Sequence, residues 1–183
     1  MAQYITTYTG IHFCPTEPDA DGIRIEDIAH SLSMLCRANG HYKEFYSVAD
    51  HSIDCAVEAQ ARGLGPYTAM VCLLHDAAEA YISDIPRPVK RELHGIYRIE
   101  ERLAVMIYEK FAGKEPTHAE LAEVKKIDDA MLFQEFRKNM GEKLGHGETV
   151  SKRSFVSRPP KKSEQEFLEL FEKIKYELEK ADD

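Results

Sequence analysis

At three places along this chain a serine or threonine is followed at the third position by an acid and then by apolar residues that recur every three or four positions. The three are Ser47-Val48-Ala49-Asp50, Thr117-His118-Ala119-Glu120 and Ser163-Glu164-Gln165-Glu166. A hydroxyl that takes the third backbone amide while the acid reaches back is the reciprocal cap of a helix N-terminus, so each marks a helix start. The first helix should run to Gly63. The second carries Leu121, Val124, Ile127, Met131 and Leu132 as far as Gly141, and the third carries Phe167, Leu170, Phe171, Ile174 and Leu178. Three more helices are expected: from Ile25 to Asn39-Gly40, from Gly65-Pro66 to about Tyr81, and from Leu93 to Gly113. Pro66 suits a first helical position, and the glycines suit helix ends. Six helices with little strand signal predict an all-α bundle, with a short N-terminal hairpin around Thr9-Gly10.

At 183 residues the chain reads as one domain, 1–183. Residues 142–162 form a basic loop, with a short strand expected near 149–156, and 163–181 form a C-terminal helix. The net charge of -8 argues against stable nucleic-acid binding. Neither an 18-residue apolar run nor a charged-then-apolar leader occurs, so no membrane partner and a cytoplasmic location are expected. Cys14, Cys36, Cys55 and Cys72 stand far apart without a C-x-x-C pair, which fits reduced thiols. Lys152, Arg153, Arg158, Lys161 and Lys162 lie in a stretch with no acid from Ser151 to Ser163. They read as a solvated loop, the alternative being a loop that reaches a neighbouring subunit or a polyphosphate tail.

Chemistry concentrates in Leu73-Leu74-His75-Asp76-Ala77-Ala78-Glu79 and in the following Asp84-Ile85-Pro86-Arg87-Pro88-Val89-Lys90. On a helix continuing to Tyr81, Asp76 and Glu79 share a face and His75 lies about 100° round the axis. A buried carboxylate without a partner is costly, so acids inside an apolar run argue for a site. Asp128 poses the same question beside the apolar stripe of its helix.

The order Arg37, His51, His75-Asp76 with Glu79, Asp84-x-Pro-x-Pro-x-Lys90 and Asp128 resembles the HD-domain phosphohydrolase superfamily. Within it, the runs Ile25 to His30 and Tyr46 to Ser52 are similar to the small nucleotide phosphohydrolases, a branch that includes 5′-deoxynucleotidases and phage dATP triphosphohydrolases. The resemblance covers about residues 24–140 and implies a helical bundle of the HD type. It implies that His51, His75, Asp76 and Asp128 hold a divalent metal (Mn, Co, Mg or Zn), with Asp129 as the alternative fourth ligand. Imidazole ligands favour a transition metal over Mg²⁺. Glu79 and Asp84 are implied as catalytic acids beside the metal, the alternative being surface acids paired with Lys90 or Arg91. Arg37 and Lys90 match phosphate-binding positions, the alternative being ordinary surface cations, and His41 and Pro88 join them as substrate-binding candidates. The implied substrate is a small-molecule nucleotide, a purine deoxynucleotide such as dATP, and a homo-oligomer is expected. Monophosphate-preferring deoxynucleotidase activity and non-catalytic nucleotide binding are the alternatives. Relatives that select deoxyribose commonly carry Trp after the arginine, where this chain has Ala38 and no Trp at all. Tyr42, Phe45 or Tyr46 could supply the missing ring.

Overall fold

Helix Gly65–Leu74 is apolar all round: Ala69, Met70, Val71, Cys72, Leu73 and Leu74 are all buried. A helix without a polar face has to lie inside the molecule, and the other elements wrap this one. The computed structural model describes residues 3–181. In chain order its elements are β1 (Ile5–Thr6), β2 (His12–Phe13), α1 (Ile25–Met34), α2 (Val48–Ala61), α3 (Gly65–Leu74), α4 (Glu79–Ile82), α5 (Arg87–Lys90), α6 (Ile96–Ala112), α7 (His118–Asn139) and α8 (Pro160–Ala181). Short 3₁₀ turns occupy Ala20–Gly22 and Arg37–Gly40. The architecture is an all-α bundle of six long helices with two single-turn helices, α4 and α5, and a two-stranded hairpin. No described helix is long and apolar enough to cross a membrane.

Helix α2 lies along α3, and α8 packs across α1, α2 and α3, while α6 and α7 close the other side of α3. Phe167, Phe171 and Ile174 of α8 meet the core formed by Ile28 and Leu32 of α1, Ile53 and Ala56 of α2, Leu103 and Ile107 of α6, and Val124 and Ile127 of α7. The hairpin pairs Ile5 with Phe13 and Thr6 with His12. It is tied down by Asp27, which accepts from the Thr9 amide at 2.6 Å and its hydroxyl at 2.9 Å, and by Phe13 packing on Tyr81.

Both reciprocal caps at Ser47–Asp50 and Thr117–Glu120 form. The third expected cap does not, because α8 begins at Pro160 and the Ser163 hydroxyl donates instead to Asp50 of α2 at 2.8 Å. Helix α1 stops at Met34 rather than at Asn39. Cys36 bridges to Ser47 and the Arg37 amide bonds to the Tyr46 carbonyl at 2.8 Å, so residues 36–47 form a closed loop. The central helix also departs from expectation. After Leu74 the bonding shifts from four residues back to three, Ala77 to Leu74, Glu79 to Asp76, Ala80 to Ala77 and Tyr81 to Ala78. In this tighter winding residues three apart are nearly eclipsed, which stacks Glu79 over Asp76 more directly than an α-helix would. Pro88 lies inside the single turn of α5 behind the capping residue Pro86.

The 142–162 segment contains no strand among the described residues, and it is a strap rather than a freely solvated loop. Asp50, Asp54 and Glu58 recur every four residues along α2 and are all buried. The strap covers this acidic stripe. Arg158 pairs with Asp50 at 2.8 Å and also with Glu166, and Arg153 pairs with Asp54 and Glu166. Glu58 accepts from the Val150 and Ser151 amides at 2.9 and 2.8 Å. Lys152, Lys161 and Lys162 remain exposed. The strap also crosses α7 closely enough that a Cβ on Gly147 would lie 2.6 Å from the Ala130 Cα.

Candidate metal centre and its cleft

The Ser47 cap fixes the first turn of α2 and so aims His51 inward, where it is fully buried. Its Nδ1 donates to Glu135 Oε1 on α7 at 2.5 Å. His75, the residue that caps the end of α3, donates through Nδ1 to the Cys72 carbonyl at 2.7 Å. With both Nδ1 atoms engaged, the two Nε2 atoms are left facing one another, 3.2 Å apart. That arrangement sets the tautomer and orientation a histidine needs as a metal ligand.

Two carboxylates complete the cluster. Asp76 Oδ2 is 3.2 Å from His75 Nε2 and 3.8 Å from His51 Nε2, and Asp128 Oδ1 is 3.2 Å from His51 Nε2 and 4.0 Å from His75 Nε2. Ligands about 2.1 Å from a common ion stand roughly 3–4 Å apart, so the donors fit a divalent cation of the imidazole- and carboxylate-binding kind. Asp129, the alternative ligand, pairs with Lys125 and Arg87 and with neither histidine of the cluster. A thiol stands near the imidazoles as well: Cys55 Sγ is 3.6 Å from His51 Nε2, and His51, Cys55 and His75 form a compact donor group. Burial pushes the Cys55 thiol up to about 11, away from the thiolate form in which sulfur binds a metal.

The two carboxylates of the cluster, Asp76 and Asp128, line a cleft of about 660 Å³. Arg37, His41, Glu79, Asp84, Pro88 and Lys90 all line it. Arg37 is buried, with Nη1 3.5 Å from Asp76 and Nη2 3.5 Å from Glu135, so it is no surface cation. Lys90 pairs with Glu100, and His41 is exposed at the rim. The buried Nε of Arg37 and Oε2 of Glu79 have no partner within the protein. Burial first, then the neighbouring charges of Asp76 and Asp84, raise the Glu79 carboxyl well above the usual carboxylate range. Burial raises Asp84 too. Asp76 and Asp128 go the other way: burial opposes their ionisation, but His75 for the first and His51 for the second hold them well below that range. Two acids are thus kept as charged donors and two are biased towards carrying a proton.

Over 139 residues the chain is 42% identical to the uncharacterized protein YfdR of Escherichia coli, an overlap that spans 75% of this chain and 72% of that protein. The chain belongs to the YfdR family. An uncharacterized protein of Rhodobacter capsulatus is 37% identical over 101 residues, 52% of this chain and 51% of that protein. No family model matches. Neither relative's name carries an activity to this YfdR-family chain, so chemistry has to be read from the site.

Glu135 has no role in the sequence reading, yet in this YfdR-family fold it receives His51 Nδ1, the Tyr42 hydroxyl at 3.3 Å and Arg37. Its signal was available: it follows Asp128 by seven residues, two helical turns, on the same face of α7. Arg87 and the apolar wall of Leu132, Phe136 and Met140 were also missed, because a cleft wall reads in sequence like any other core stripe. Of the aromatic candidates for the missing Trp, Tyr42 lines the cleft, whereas the Tyr46 hydroxyl is turned away to Asp54 at 2.6 Å.

Proposed function

We propose that the chain is a metal-dependent phosphohydrolase of the HD type acting on nucleotides, with purine deoxynucleotides such as dATP as the leading substrates. The observation that carries the reading is the meeting of His51 Nε2, His75 Nε2, Asp76 Oδ2 and Asp128 Oδ1, the two carboxylates lining a cleft that Arg37 and Lys90 also line. When bound there, a divalent ion of the Mn, Co, Mg or Zn group supplies an activated water and screens charge at phosphorus.

The chain's own residues do the rest. The Arg37 guanidinium, with Nε uncommitted, and the Lys90 ammonium bind phosphate oxygens, the former with the planar fork suited to them. In hydrolysis the water oxygen bonds to phosphorus and loses a proton, the bond from phosphorus to the leaving oxygen breaks with its electron pair, and a proton reaches that oxygen. Glu79, which burial holds well above the carboxylate range, is placed to give a proton to the leaving oxygen, and Asp84 in its ionised form is placed to take the proton the water loses. The volume of the cleft accommodates a nucleotide.

The test is incubation of the purified protein with Mn²⁺, Co²⁺ or Mg²⁺ and a panel of nucleoside and deoxynucleoside mono-, di- and triphosphates, with products separated by chromatography. Metal-dependent release of phosphate, pyrophosphate or tripolyphosphate is the expected result. Absence of any product with every metal would end the reading.

A further inference from the structure

Three cations face the cleft, and they are held very differently. Arg37 is buried between Asp76 and Glu135, and Lys90 is bound to Glu100 with its ammonium 6.0 Å from the Tyr97 ring. Arg87 is 60% exposed in its side chain, and its Nη2 lies 3.4 Å from Asp128 Oδ2 and 3.7 Å from Asp129 Oδ1. The Arg37 contacts are no shorter at 3.5 Å, so what sets Arg87 apart is its exposure; good charge-assisted bonds are about 2.7–2.9 Å, and neither Asp128 nor Asp129 uses its guanidinium fully. Both are already served by Lys125, which reaches Asp128 Oδ2 at 2.8 Å and also pairs with Asp129.

The position of Arg87 is what makes this under-use informative. Asp128 turns Oδ1 to His51 and Oδ2 to Arg87, so the guanidinium stands one carboxylate's width from the donor cluster, on the cleft lining. Pro86 and Pro88 flank it and restrict the backbone, leaving the side chain as the mobile part. Lys125 holds the same Asp128 oxygen yet does not line the cleft.

We infer that Arg87 reads the length of a substrate's phosphate chain, its fork binding the phosphate next to the one at the donor cluster, so that nucleoside di- and triphosphates are favoured over monophosphates. The inference rests on the phosphohydrolase reading. A second phosphate presents two anionic oxygens in the geometry the fork matches, which Asp128 and Asp129 do not.

Steady-state hydrolysis of dAMP, dADP and dATP by wild type, Arg87→Ala, Arg87→Lys and Lys125→Ala tests it. Arg87→Ala should lose about tenfold or more in kcat/KM on dATP and stay within about twofold on dAMP, with partial recovery in Arg87→Lys. Lys125→Ala, acting only through Asp128 and Asp129, should shift all three substrates alike. Titration calorimetry with inorganic tripolyphosphate and orthophosphate gives a reading independent of turnover: Arg87→Ala should weaken the first and spare the second. An equal loss, or none, across the series and in both titrations would overturn the role of Arg87. A wild type that turns over no nucleotide would defeat the phosphohydrolase reading, and the tripolyphosphate titration would then still decide whether Arg87 binds a phosphate chain.

Discussion

Glu135 joins three parts of the site through one carboxylate: the proposed metal ligand His51, the proposed phosphate-binding Arg37 and the cleft-wall Tyr42. Burial would raise its pKa, but His51 and Arg37 prevail and keep it low, so it is held as an anion. Removing a buried partner strands the charges it served, at a cost of about 3–5 kcal/mol, so Glu135→Ala is expected to lower the thermal midpoint severely. Glu135→Gln keeps the shape and an acceptor for His51 but weakens that orienting bond. It should fold and bind metal roughly 10- to 100-fold more weakly, as read by competition with a chelating dye. Unchanged affinity would mean that His51 needs no orientation from α7. Glu79→Gln is expected to act on a different quantity. It removes the proposed proton carrier, three residues after Asp76, so kcat should fall by about 10²–10⁴ while metal content stays at the wild-type level. Wild-type turnover would transfer the proton role to Asp84.

Among the elements, the break after α3 and the strap over α2 decide most about the site. The turn from α4 to Asp84 passes through Ser83 at φ 75 and ψ 157, a region essentially reserved for glycine. Ser83→Gly should therefore raise stability by about 1 kcal/mol in urea unfolding, the relief of strain outweighing glycine's greater unfolded-state entropy. A destabilised variant would show that the serine makes a contact worth more than the strain. The strap depends on Glu58. Burial would raise its carboxyl, but Ser151, Val150 and Arg62 outweigh burial and depress it. A depressed carboxylate stabilises the fold above its unfolded pKa of about 4.3, and that contribution disappears as pH falls through the lower folded value. Hydrogen exchange should accordingly show the Val150 and Ser151 amides protected at neutral pH and losing protection below about pH 4. Glu58→Gln should exchange them quickly at neutral pH as well. The acids spaced every four residues in α2 were visible in sequence. That they form one buried stripe covered by the basic segment was not, because the cations lie some hundred residues further on and pairing over that distance leaves no local periodicity.

For the molecule as a whole, a metal that binds the folded donor cluster and not the unfolded chain must stabilise the fold by mass action, about 2.7 kcal/mol at a hundredfold excess over Kd. For a chain of this size that corresponds to a rise in Tm of about 5–10 °C, which chelation should reverse and His75→Ala should abolish. Much of the architecture was legible beforehand. The number of long helices, two of the three capping boxes and the N-terminal hairpin followed from local spacing, because caps and apolar periodicity act within a few residues. The residue types that meet at the cluster were legible too, as acids and imidazoles that an apolar run cannot bury unpaired. Only the tertiary structure decided the rest. It broke the central helix after Leu74, ended α1 at Met34 so that Arg37 arrives on a closed loop, faced Asp128 rather than Asp129 towards His51, and recruited Glu135 and Arg87. Each of these depends on how helices distant in sequence pack round α3, and packing sets distances that no local pattern encodes.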